Sequence, residues 1–134
     1  MADERIKQVI LIRKDLNMRR GKEIAQGSHA AMDFLVEPIC EQLEASGGSK
    51  VLLELTAKEQ KWVLHGMAKV CLRVNSEAEL LECHEKALKT GLKSYLIQDS
   101  GRTEFHGQPT FTACAIGPDE AEMIDRVTGS LVLY

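Results

Sequence analysis

The stretch I-K-Q-V-I-L-I-R at residues 6–13, followed by K-D-L-N-M-R-R-G-K-E-I-A-Q-G-S-H-A-A at 14–31, decides how this chain folds. The first segment is almost continuously apolar and β-branched. That pattern reads as a strand buried on both faces, hence central in an α/β sheet. Residues 15–21 form the turn after it. A helix follows from about residue 20 to 43, with Pro38 as a candidate break. Helix N-termini favour anions, because their unpaired N–H groups carry partial positive charge. This one carries Arg19, Arg20 and Lys22 instead. Cations there cost a few tenths to about 1 kcal/mol, so they either face solvent or hold an anion. At 100° per residue, Lys22, Gln26, His29 and Asp33 fall within about 60° of one another and form a polar stripe. Ile24, Ala25, Ser28, Ala31, Met32 and Leu35 lie on the other side, which is expected to be the buried face.

With 134 residues, 44% hydrophobic and 28% charged, the chain fits one globular domain over 1–134. Aromatic content of 4% is low, so base stacking on an aromatic platform is not the expected means of recognition. The net charge of −3 gives no global basic field. A polyanionic partner would need a local patch, and Arg13, Lys14, Arg19, Arg20 and Lys22 form the only dense one. Cys40, Cys71, Cys83 and Cys114 contain no C-x-x-C pair, so a cysteine zinc site is not expected. Cys71 and Cys114 read as core residues on strands. No leader segment or apolar run of about 18 residues is present. A cytoplasmic protein with no membrane partner is the expectation.

Outward from the opening stretch, residues 45–50 read as a flexible loop, and 51–55 are ambiguous between a strand and a helical lead-in. T-A-K-E from Thr56 and S-E-A-E from Ser76 are capping boxes that start two helices. They end before Gly66 and Gly91. Strands are expected at 68–74, 94–98 and 111–116. A last helix should start at Pro118 and Asp119 and stop at 128–129, with an apolar docking tail at 130–134. The order β-α-α-β-α-β-β-α allows the first three strands to be parallel, with the fourth antiparallel or mixed. Trp62 reads as packing on the sheet. His65, His84 and His106 read as surface or loop residues.

Ligands of open α/β sheets bind beyond the carboxyl ends of the strands. Strand one delivers M-R-R-G-K there, and strand three delivers D-S-G-R-T at 99–103. If the two strands are parallel, their loops bring together Asp99, Arg20, Arg102, Lys22 and Thr103. That set can hold a phosphate or polarise an ester carbonyl, with a carboxylate to orient water. The plain alternative is an Asx turn in which Asp99 bonds its own backbone.

Five blocks then stand together: I-R-K-D-L-N-M (12–18), G-K-E-I-A-Q-G-S-H-A (21–30), D-S-G-R-T (99–103), A-I-G-P (115–118) and I-D-R-V-T-G-S-L (124–131). In this order they resemble the type 2 peptidyl-tRNA hydrolases, the archaeal and eukaryotic kind. The resemblance implies a three-layer α/β/α fold with a four-stranded mixed sheet, often as a homodimer. It implies hydrolysis of the ester joining a peptide to the terminal ribose of tRNA, with no metal or other cofactor. It also implies Lys22, Asp99 and Thr103 as catalytic residues, and Gln26 and His29 as cleft residues. Arg20 and Arg102 add cationic groups for phosphate. The chain departs from the pattern at Arg20, where lysine is common, at Ile24, where alanine is common, and in the loop 104–109. Those departures leave a second reading, a tRNA-binding module of the same fold without catalysis. A third reading is an interaction domain that docks through its apolar tail.

Overall fold

The computed structural model describes residues 5–102 and 105–134. Its elements are β1 (Ile6–Arg13), α1 (Arg20–Ser46), α2 (Ala57–Leu64), β2 (Lys69–Val74), α3 (Glu77–Lys89), β3 (Ser94–Asp99), β4 (Thr110–Glu120) and α4 (Ala121–Thr128). The strands form one sheet in the order β2-β1-β4-β3. β1 pairs parallel with β2, and β4 runs antiparallel to both β1 and β3. β1, β2 and β3 therefore point one way, and β4 alone is reversed. The fold is the four-stranded mixed sheet between helical layers expected from the sequence.

β1 has a strand on each side, as its continuous apolar run requires. Its alternate residues serve different layers. Val9 and Leu11 join Leu80, Cys114, Ile116 and Ile124 in the core under α3 and α4. Ile12 and its neighbour Ile10 join Ala30, Ala113 and Ala115 under α1. Burying each Leu or Ile of the first group contributes about 1.5–3 kcal/mol. α2 lies on the α1 side, where Trp62 meets Phe34 edge-on at 5.8 Å between ring centroids. The Trp62 indole donates to the Ala68 carbonyl at 2.8 Å, so its polar atom is satisfied while the ring packs.

Both helix starts marked by capping sequences occur. At Thr56 the box is reciprocal with Glu59. At Ser76 the hydroxyl accepts from the Glu79 N–H at 3.0 Å, while the Glu79 carboxylate reaches the Asn75 N–H at 3.4 Å rather than that of Ser76. The tail pairs with the outer edge of β2: the Arg73 N–H donates to Val132 O, and the Tyr134 N–H to Cys71 O.

Several local expectations are corrected. α1 runs unbroken through Pro38 to Ser46. Its buried residues are Gln26, Ala30 and Phe34, whereas Ile24 is 63% and Met32 59% exposed. The helix is thus rotated so that part of the polar stripe turns inward, because the sheet offers Gln26 a hydrogen-bond partner. Residues 51–55 are neither strand nor helix; Gln42 holds them by accepting from the Leu52 N–H at 2.8 Å. β4 continues past Pro118, so the last helix starts at Ala121. The cause is an extra residue in β4, since Lys7 and Val9 of β1 pair with Asp119 and Ile116. Gly117 sits there at φ +94°, with Lys7 O where a Cβ would be only 2.9 Å away. Such a bulge also accommodates a proline, which has no N–H to give. Cys83 and Cys114 are buried, but Cys71 is exposed on the edge strand.

Candidate active site

The start of α1 and the end of β3 meet on the α1 face of the sheet. Lys22, in the first turn of the helix, puts its Nζ 2.7 Å from Asp99 Oδ1. One turn on, Gln26 Nε2 donates to the same oxygen at 3.3 Å. The Gly101 N–H donates to the other carboxylate oxygen, Oδ2, at 2.8 Å. The Lys22 and Asp99 side chains are only 15% and 11% exposed. A shielded, hydrogen-bonded pair of this kind interacts more strongly than an exposed surface pair. The Lys22 hydrogen bond is the main reason Asp99 titrates below the ordinary carboxylate value, with burial opposing it and the Gly101 N–H and His29 assisting.

The D-S-G-R-T loop depends on its glycine. Gly101 is buried with φ +86°, and a Cβ there would collide with the Gln108 backbone. The Gly107 N–H returns to Gly101 O at 3.1 Å, so the segment after the loop folds back over it. The Asx turn considered from the sequence does form, through the Asp99–Gly101 bond. It coexists with the Lys22 pair instead of replacing it.

Thr112 completes the network and was not singled out from the sequence. Its hydroxyl donates to Gln26 Oε1. Strict alternation would not put Thr112 and Ala113 on one face. The register shows why both reach α1: Ile97 pairs with Ala113 but Gln98 with Phe111, so Thr112 is an extra residue in β4. A bulge re-aims a side chain in this way. The only hint in F-T-A-C-A-I is a hydroxyl amid apolar neighbours.

The cations at the helix start divide. Arg13 is tied to Asp15 at 2.6 and 3.1 Å and to Phe111 O at 3.1 Å. Lys14 lies 4.7 Å above the Tyr134 ring. Lys22 holds Asp99, so the anion near this helix start is one of the chain's own. Arg20 and Arg102 are exposed at the rim. His29 is exposed on the next turn of α1, near enough to Asp99 to favour its charged form. Thr103 lies outside the described residues, as does Glu104.

A second polar cluster lies on the opposite face. His84, expected at the surface, is half-buried, with Nδ1 2.7 Å from Ser94 Oγ. Ser94 Oγ in turn is 3.2 Å from Cys114 Sγ. Burial lowers the His84 pKa and pushes the Cys114 thiol up to about 12. A thiol kept protonated is not an activated nucleophile, and this cluster satisfies polar groups inside the core.

An open mixed α/β sheet with a carboxylate–ammonium pair at the carboxyl end of β3 defines the general class. Comparison with known proteins gives the family. The description peptidyl-tRNA hydrolase PTH2 matches residues 6–134. A peptidyl-tRNA hydrolase of Aeropyrum pernix is 39% identical, over 100% of both chains. One of Methanopyrus kandleri is 40% identical over 95% of this chain and 97% of its own. One of Sulfolobus acidocaldarius is 39% identical over 96% of this chain and 99% of its own. A solved structure of a protein of unknown function from Agrobacterium tumefaciens, 14% identical, superposes with a TM-score of 0.54 over 100% of this chain and 99% of its own, a likeness of fold. The chain belongs to the peptidyl-tRNA hydrolase PTH2 family. Among the described residues, no helix is long and apolar enough to cross a membrane.

Proposed function

We propose that the chain, acting as one unit, hydrolyses the ester between a peptide and the terminal ribose of tRNA. The observation that carries this reading is the Lys22–Asp99 contact of 2.7 Å, in a member of a family with that name. Asp99 orients a water against the ester carbonyl and takes its proton as the water oxygen bonds to carbon. The carbon–oxygen bond to the ribose then breaks, the proton passes from Asp99 to the ribose oxygen, and the peptide leaves as a carboxylic acid that gives its remaining proton to solvent. Lys22 stabilises the developing oxyanion through the charge of its ammonium group. As the ammonium shifts toward that oxyanion, Asp99 loses the group that depresses its pKa. It becomes more basic at the moment it accepts the proton. Gln26, positioned by Thr112, keeps the carboxylate in place during the exchange. Thr103 hydrogen-bonds the water, and Arg20 and Arg102 contact phosphates near the acceptor end. His29 forms the cleft wall.

The reaction is placed in the cytoplasm, where peptidyl-tRNA arises. The chain also pairs with a second copy; exposed Ile24 on α1, with Val132 and Leu133 of the tail 55% and 67% exposed, supports an apolar contact. Light scattering of wild type and Ile24→Glu tests that pairing, and an unchanged monomeric mass in both removes it. The hydrolysis is tested with one defined peptidyl-tRNA and two proteins. Wild type should release peptide, and Lys22→Ala should slow release about 100-fold or more while deacylated tRNA still binds. Release at the wild-type rate by Lys22→Ala would sink the mechanism, and binding without release by wild type would identify an inactive module.

A further inference from the structure

The two edges of the sheet are treated differently. β2 is covered by the tail, through the bonds to Val132 O and from the Tyr134 N–H. β3 is the other edge, and among the described residues no strand pairs with its outer side. Unpaired edges invite pairing with another chain, and natural proteins usually blunt them with charge, proline or a bulge. β3 reads S-Y-L-I-Q-D, which contains no lysine or proline, and its bulge residue belongs to β4. The open edge ends at Asp99, the carboxylate of the candidate site.

Beside that edge, α1 and β3 enclose a cleft of about 420 Å³ lined by His29, Met32, Asp33, Val36, Ile97 and Gln98. It begins at His29, next to Asp99. Further along the same two elements lies a second cavity of about 540 Å³, where Phe34, Glu37 and Tyr95 meet the 52–55 segment. The electrostatics change along this path. Arg20 and Arg102 stand at the Asp99 end, Asp33 lines the first cleft, and Glu37, Glu41 and Glu54 line the far cavity, where Lys93 is paired with Glu59. Asp33 is half-buried, and burial raises its pKa against the influence of His29. Carboxylates on the wall disfavour an RNA backbone. They suit an uncharged chain that ends in an ammonium group.

We propose that the crease between α1 and the open edge of β3 holds the peptide half of the substrate as an extended chain parallel to β3. The ester end lies at Asp99 and the amino end toward Asp33 and Glu37. This rests on the hydrolase reading above and adds the location and mode of peptide recognition. The physical reason is that a peptide of arbitrary sequence can be held only through what every peptide shares, its backbone N–H and C=O groups. Strand addition to an open edge uses those groups. The mixed lining of the cleft then admits varied side chains without selecting one. The six residues of β3 span about 20 Å at roughly 3.3 Å each, so the contact should saturate near five peptide residues. The RNA half of the substrate is left to the cationic rim on the other side of Asp99.

The test uses wild type, Asp33→Lys and the fully surface-placed Glu37→Lys, the latter guarding against misfolding of the first. Substrates share one tRNA and carry one N-acetylated residue, or two, three, five or eight peptide residues with a free amino end. A further pentapeptide has its central amides N-methylated. For wild type, kcat/KM should rise about tenfold from one residue to about five and then level off, and N-methylation should remove most of the gain. In both variants the ratio of kcat/KM between the five-residue and one-residue substrates should fall about three- to tenfold, mainly through KM. Binding of deacylated tRNA is measured alongside. If both lysine variants bind deacylated tRNA more than tenfold tighter, the acceptor strand occupies the crease and the proposal is wrong. Hydrolysis independent of peptide length also overturns it while leaving the hydrolase reading intact. No hydrolysis of any substrate by wild type removes both.

Discussion

The two faces of one sheet solve different problems. Beneath α3 and α4 the sheet presents Val9, Leu11, Leu72, Val74 and Ile116 to Leu80 and Ile124, large apolar side chains packed on one another. Beneath α1 it presents Ala113 and Ala115, and α1 answers with Gly27 above Ile10 and Ile12. Small residues let the helix approach closely, so short polar side chains can reach across. Gln26 thereby meets Thr112 and Asp99. Each face also holds a polar cluster, but with different outcomes. His84, Ser94 and Cys114 sit within the apolar packing and are kept neutral. Lys22 and Asp99 pair beside a cleft, and the contact holds Asp99 in its charged form. The large apolar packing lies on one face and the proposed chemistry on the other.

The sharpest way to break that division is Asp99→Asn. It should lower kcat about 10²- to 10⁴-fold, the range for loss of a general base, with deacylated tRNA affinity little changed. Single-turnover hydrolysis and a binding titration measure both, and a rate within threefold of wild type would deny Asp99 its role. Leu80→Ala is the counterpart on the other face. It should cost about 2–5 kcal/mol in urea denaturation, while the folded protein keeps its kcat. A large loss of kcat in the folded fraction would mean the two faces are not separable.

Thr112→Val is a smaller change at the boundary between them. It leaves Gln26 Oε1 without its donor, which should cost about 1–3 kcal/mol, and lets Gln26 drift from Asp99, lowering kcat about tenfold. A stability loss with unchanged kcat would make the bulge residue purely structural. The smallest effect is on pH dependence. Asp99 titrates lower in the folded protein than its ordinary value of 3.8, so on acidification the unfolded chain binds that proton first. The stability from this carboxylate is complete above pH 4 or so and is lost as pH falls through the folded value. The stability difference between wild type and Asp99→Asn should therefore be flat from pH 5 to 8 and shrink below pH 4. A difference that grows on acidification would contradict the depressed pKa.

β1 was legible because a run of β-branched residues has few other ways to be buried, and the Thr56 box because its two residues satisfy each other locally. The rotation of α1 was not legible. By hydropathy Ile24 and Met32 belong inside and Gln26 outside, and only a partner supplied by β4 reverses that. Pro118 misled in the same way: it is a good helix-starting residue in isolation, but a bulge in β4 accommodates it within the strand. Cys71 and His84 followed suit, since which strand forms the edge and which helix face meets it are questions of pairing.

The sequence by itself determined the order of elements, the mixed sheet and the two loops that carry Lys22 and Asp99, because periodicity, caps and turn residues act over a few neighbours. The tertiary structure alone decided that Lys22 closes on Asp99 and that Thr112 anchors Gln26. It alone decided that one sheet edge is covered by the tail while, among the described residues, no strand pairs with the outer side of the other. Those depend on strand order and on extra residues in the register of β4, where a shift of one position turns a side chain from one face of the sheet to the other.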